Sequence, residues 1–177
     1  MPDRADAALL AHHEAGHAVM ASVLGCPVRR ASVRATGGLA GYVDFEHAVP
    51  PSVDVTPAHR PLVETDALVL LAGRAAECEY APGMTRTHAG NDRTHARALL
   101  ATLEPIEEVV ASWLAYLLVR AQAILQAHWA LVYARARCST EASSISVRSR
   151  RCWTPRGGGT PCRRWSRRSS SSSRPGS

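Results

Sequence analysis

The sequence predicts a mainly α-helical α+β domain with one small β-hairpin and a disordered C-terminal tail, on three observations. Apolar residues recur at three- and four-residue intervals through most of residues 8 to 133. One Gly-rich turn, Thr36-Gly37-Gly38, separates two short runs of strand formers. After about Tyr133 the periodic pattern gives way to Arg, Ser, Cys and Pro, which cannot bury a core. The chain therefore divides into a body, residues 1 to 133, large enough for a single domain, and a low-complexity tail, residues 134 to 177.

The first helix carries Leu9, Leu10, His13, His17, Met20 and Leu24 in helical spacing and stops at Gly25-Cys26-Pro27. Val28 to Ala35 and Leu39 to Phe45 read as the two strands, with Val33, Tyr42, Val43 and Phe45 as strand formers. Residues 46 to 61, with Pro50, Pro51, Pro57 and Pro61 besides His47 and His59, read as a loop or flap. Pro61 opens a helix from about Leu62 to Tyr80, on which Arg74 and Glu77 are spaced to pair. Pro82, Gly83 and Gly90 mark a loop leading to Asn91-Asp92, and Arg93 to Leu103 reads as the next helix. Pro105 fits a first turn, and Glu107 and Glu108 favour the positive end of a helix that reaches about Tyr133 as one very long helix or two. Its apolar run, Val109 to Val119, is shorter than the roughly eighteen residues a membrane span needs, so it is expected to serve a core or a subunit interface.

Charge separates the same two parts. Residues 1 to 133 hold ten Arg against fourteen acidic residues, a net −4, while residues 134 to 177 hold eleven Arg against Glu141 alone, a net +10. The whole-chain +6 is thus a property of the tail. Such a tail can neutralise phosphates and so bind RNA or DNA, which is one functional reading. A shifted reading frame in a GC-rich gene is another explanation, consistent with every basic residue being Arg. The cysteine count is five and odd, and only Cys26 and Cys78 lie in the body, so no disulfide framework is implied. Met1 to Leu10 lacks the apolar stretch of a signal peptide, and a cytoplasmic location is the expectation.

The chemistry is concentrated in His13-Glu14-Ala15-Gly16-His17. Positions i and i+4 share a helix face roughly 6 Å apart, so both imidazoles can reach one metal ion with a glutamate beside them. Catalytic zinc takes three protein ligands and keeps a fourth position for water, and a neighbouring carboxylate can remove that water's proton as it attacks a peptide carbonyl. Glu14 is the candidate general base. A chain of this composition contains such a string by chance in roughly 2% of cases, so its context decides. Ala18 to Leu24 contain no third His, which excludes a metzincin pattern. Two acids remain as third ligand: Glu77 from the following helix, and Asp92 at a loop-to-helix junction, where Asn and Asp commonly act only as caps. The other histidines, His12, His47, His59, His88 and His95, are discounted as ligands.

Four blocks stand in order: His13-Glu14-Ala15-Gly16-His17-Ala18, Gly37-Gly38-Leu39-Ala40-Gly41-Tyr42, Leu71-Ala72-Gly73-Arg74-Ala75-Ala76-Glu77 and Ala89-Gly90-Asn91-Asp92. Together they resemble the peptidase domain of FtsH-type ATP-dependent zinc metalloproteases, over roughly residues 8 to 133. The resemblance implies that His13, His17 and Asp92 are zinc ligands, that Glu14 is the catalytic glutamate, and that a small β element flanks a helical active site. Family members carry an ATPase module and membrane helices upstream; this chain begins almost at the zinc helix, and without any lysine it has no G-x-x-x-x-G-K-[ST] motif. The expectation is a stand-alone zinc endopeptidase acting on flexible or unfolded proteins, or served by a separate ATPase or unfoldase partner. Its oligomeric state is open, since rings in the family draw on the ATPase module. An inactive zinc-binding relative serving as an interaction module, and a nucleic-acid-associated protein led by its tail, are the alternatives.

Overall fold

The structure, a computed structural model, describes residues 4–32, 41–50, 52–83 and 89–141. Among them the order is α1 (Arg4–Val23), β1 (Val28–Ser32), β2 (Tyr42–Phe45), a short 3-10 turn (Pro57–His59), α2 (Arg60–Tyr80), α3 (Ala89–Ala101), α4 (Glu107–Ala127) and α5 (Trp129–Glu141). This is the mainly helical architecture with one small sheet that the periodicity predicts. The Thr36-Gly37-Gly38 turn and residues 142 to 177 of the tail lie outside the described residues.

α2 is the central helix, and α1, α3 and α4 all pack on it while α5 packs on α1. Its sequence explains the position, because Val63, Ala67, Leu68, Val69, Leu71, Ala72, Ala75 and Ala76 are buried around most of its circumference. Small residues bring α1 close. A Cβ at Gly16 would lie 2.6 Å from the Ala72 carbonyl oxygen and 2.7 Å from Ala76 Cβ, so any side chain there would force the two helices apart. α1 ends as its stop signal requires: Gly25 takes a φ of 80°, and the Cys26 N–H donates to the Ala21 carbonyl at 2.8 Å.

β1 and β2 pair antiparallel with Val28 opposite Phe45 and Ser32 opposite Tyr42, broken by an irregularity between Val28 and Arg30. The segment after β2 is tied down by a buried carboxylate of α2. Asp66 accepts the backbone N–H of Ala48 at 2.7 Å through Oδ1 and of Val49 at 3.1 Å through Oδ2.

Several boundaries differ from the sequence reading. α3 begins at Ala89, so Asp92 lies inside the first helical turn and not in the loop before it. Pro105 precedes the Ile106 N-cap of α4 instead of occupying its first turn, while the last helical stretch takes the second of its two expected forms, two helices interrupted at His128. Helix α5 continues past Tyr133 to Glu141, because Val132 and Ala136 remain in the core and extend the buried stripe beyond the compositional boundary. By length and composition α4 as a whole is apolar enough to cross a membrane, although Val110, Leu114, Leu117, Ala121 and Leu125 face the protein core.

Candidate metal centre

His13 and His17 project from α1 onto the buried face of α2, and α2 orients each ring from behind. The His13 Nδ1–H donates to Glu77 Oε1 at 3.0 Å, and the His17 Nδ1–H donates to the Val69 carbonyl at 2.7 Å. Once His13 has given up its Nε2 proton and each ring keeps a single proton on Nδ1, both Nε2 atoms are lone-pair donors, the tautomer that metal ligation needs. The two Nε2 atoms are 3.0 Å apart.

α3 completes the group. Asp92 Oδ2 lies 3.1 Å from His13 Nε2 and 3.4 Å from His17 Nε2, so one carboxylate oxygen and two imidazole nitrogens form a nearly equilateral triangle. A tetrahedral zinc with ligands about 2.0–2.1 Å away holds its ligand atoms roughly 3.3 Å from one another. The triangle has that size, its donors are the hard oxygen and imidazole nitrogens that such ions take, and the three residues could hold a metal ion.

Space for the centre comes from Gly73. A Cβ there would fall 2.5 Å from His13 Cε1, 2.6 Å from His13 Nε2, and closer still to His17 Nε2. Both rings thus lie on bare backbone at the middle of α2. Glu77, one turn further along, is fully buried, and its second oxygen faces Arg74 Nη1 at 3.5 Å. The expected Arg74–Glu77 pair is present, and it serves to hold the carboxylate that orients His13.

Burial opposes a charge on His13, but the carboxylates of Asp92 and Glu77 at its two nitrogens, with Glu14 nearby, outweigh that and push its pKa up to about 9. Burial likewise opposes ionisation of Asp92, and the His13 and His17 imidazoles overcome it and hold the carboxyl well below the usual carboxylate range. A cluster that concentrates negative potential on a protonated imidazole is one that a divalent cation can take over.

The structure therefore brings together His13, His17 and Asp92, with Glu14 on the adjoining part of α1 and 7% exposed. Glu77, the alternative ligand, lies on the far side of the His13 ring, at Nδ1, and acts on the imidazole and not on the centre. The parts played by Gly73 and the Val69 carbonyl were not legible in the sequence. A glycine in the interior of an otherwise strong helix was the available signal for Gly73, since it costs about 1 kcal/mol unless something needs the space. Among the discounted histidines, His95 is exposed and His88 lies outside the described residues. His12 is buried, stacked on Tyr80 at 3.6 Å, and donates from Nδ1 to the Ala8 carbonyl. No family model and no curated protein matches the chain.

Proposed function

We propose that this chain is a zinc-dependent endopeptidase that hydrolyses peptide bonds of flexible or unfolded proteins, with Glu14 as the general base. The observation that carries the reading is the triangle of His13 Nε2, His17 Nε2 and Asp92 Oδ2, whose sides match a tetrahedral zinc sphere. Three protein donors are what a catalytic site uses, because a fourth would close it. A bound zinc ion would supply Lewis acidity, polarising a carbonyl and making water acidic near neutral pH.

The chain's own residues account for the remaining steps. Glu14 takes a proton as the water oxygen adds to the peptide carbonyl carbon, and returns it to the amine nitrogen as the C–N bond breaks. Glu77 and the Val69 carbonyl keep His13 and His17 in the ligating tautomer throughout. The hairpin offers backbone to an extended peptide by main-chain hydrogen bonds, which tolerates many sequences and suits unfolded substrates. The ordered blocks resembling FtsH-type peptidases support the same assignment. A cytoplasmic setting and a separate ATPase or unfoldase that delivers folded substrates belong to this reading.

The test is metal content and proteolysis of the purified chain. About one equivalent of zinc is expected, together with cleavage of casein that disappears in Glu14→Gln while the metal stays. His13→Ala and Asp92→Ala should both lose zinc. Zinc without cleavage of any unfolded substrate would replace the enzyme by an inactive metal-binding module, and retention of zinc in Asp92→Ala would remove the ligand assignment.

A further inference from the structure

Gly41 directly precedes β2, which begins at Tyr42. What position 41 requires is room. A Cβ at Gly41 would lie 2.6 Å from Glu14 Oε1 and 3.0 Å from both its Cδ and its Cγ, and no real Cβ comes that close to an oxygen. The carboxyl end of Glu14 occupies the volume that any other residue at 41 would fill. We propose that Gly41 is a positioning residue for Glu14: the bare backbone just before β2 is the seat that sets where the general base points.

Which partner would yield to a side chain at 41 follows from how each is held. Tyr42, the next residue, pairs with Ser32 across the hairpin. At the other end of the strand the Glu46 N–H donates to the Pro27 carbonyl at 2.8 Å, and Asp66 holds the backbone of Ala48 and Val49. The strand is anchored at several points. Glu14 meets position 41 with the far end of its side chain, whose χ angles can change without moving the backbone of α1. A methyl group at 41 therefore turns the carboxylate and leaves the hairpin in place. The catalytic consequence rests on the endopeptidase reading; the contact itself does not.

Two measurements on the full chain separate the contact from the chemistry. In protein labelled with 13C-glutamate and free of metal, the Glu14 carboxyl resonance is identified by its loss in Glu14→Gln, and Gly41→Ala should move it. In zinc-loaded protein, Gly41→Ala should lower kcat for casein cleavage about 10- to 100-fold, the effect of a misplaced catalytic group, with KM and zinc content unchanged. An unmoved resonance, or an unchanged kcat, overturns the proposal. A moved resonance in a chain whose wild type cleaves nothing supports the seat and overturns the peptidase reading instead. If Gly41→Ala does not fold, the Gly41→Ala/Glu14→Ala pair decides: recovery of folding supports a shared volume, and failure to recover overturns it.

Discussion

His13 and Glu77, 64 residues apart in the chain, meet through a 3.0 Å hydrogen bond from the imidazole Nδ1–H to a carboxylate oxygen that is wholly shielded from solvent. The ring is thereby held between two carboxylates, Glu77 behind and Asp92 in front. An acceptor at Nδ1 raises the basicity of Nε2 and locks the ring's orientation, so its loss weakens ligation without touching a ligand. Glu77→Ala is expected to reduce zinc affinity 10- to 100-fold by the usual worth of such an outer partner. Glu77→Gln, which still offers an oxygen to the same N–H, should lose less. Competition for zinc with a chromogenic chelator measures both; equal affinity in Glu77→Ala and wild type would show that the hydrogen bond does not orient the ligand.

Gly73 yields the opposite of the ordinary helix rule. Alanine replaces glycine in an open helix interior with a gain of about 1 kcal/mol. Here the added methyl would meet His13 and His17 within their van der Waals radii. Gly73→Ala should lower the unfolding midpoint and abolish stoichiometric zinc binding, as read from thermal denaturation and metal analysis of the same sample. A variant more stable than wild type that retains zinc would contradict the placement of the rings on α2.

The paired charges set a pH dependence whose sign follows from linkage. With its pKa raised from 6.5 to about 9, His13 contributes stability to the metal-free protein that is complete below pH 6.5 and lost as pH rises through about 9. Asp92, held below its ordinary value of 3.8, contributes stability that is present above that value and lost as pH falls below it. The metal-free melting temperature should therefore be highest between these limits and decline on the alkaline side, which calorimetry across a pH series measures. Zinc must displace the His13 proton, so affinity should increase with pH up to about 9. Binding at neutral pH should release a proton, visible by titration calorimetry in buffers of different ionisation enthalpy. A metal-free melting temperature that stays level across the alkaline range would remove the charged His13 from the folded state.

Much of this architecture is legible in local patterns. The spacing of Leu9, His13, His17 and Met20 places the motif within α1, and Gly25-Cys26-Pro27 marks the stop, because helix periodicity and termination depend on near neighbours. The boundaries of α3 and α5 were less legible. Ala89 to Asn91 are helical even though Gly90 reads as a breaker, and α5 outlasts the change in composition because its inner residues still find a core.

By itself the sequence determined the helical class, the hairpin, the paired histidines and the glutamate between them, all of which are set within a few residues of one another. Only the tertiary structure shows that Asp92 and Glu77 reach opposite nitrogens of His13, Asp92 on the side shared with His17 and Glu77 behind the ring, since both are acids on later helices and nothing along the chain says which nitrogen each one meets. It also decided the parts played by Gly73 and Gly41, whose contribution is an absence of atoms. Empty volume has no meaning along a chain and acquires one only when α2 and β2 come to lie against the side chains of α1.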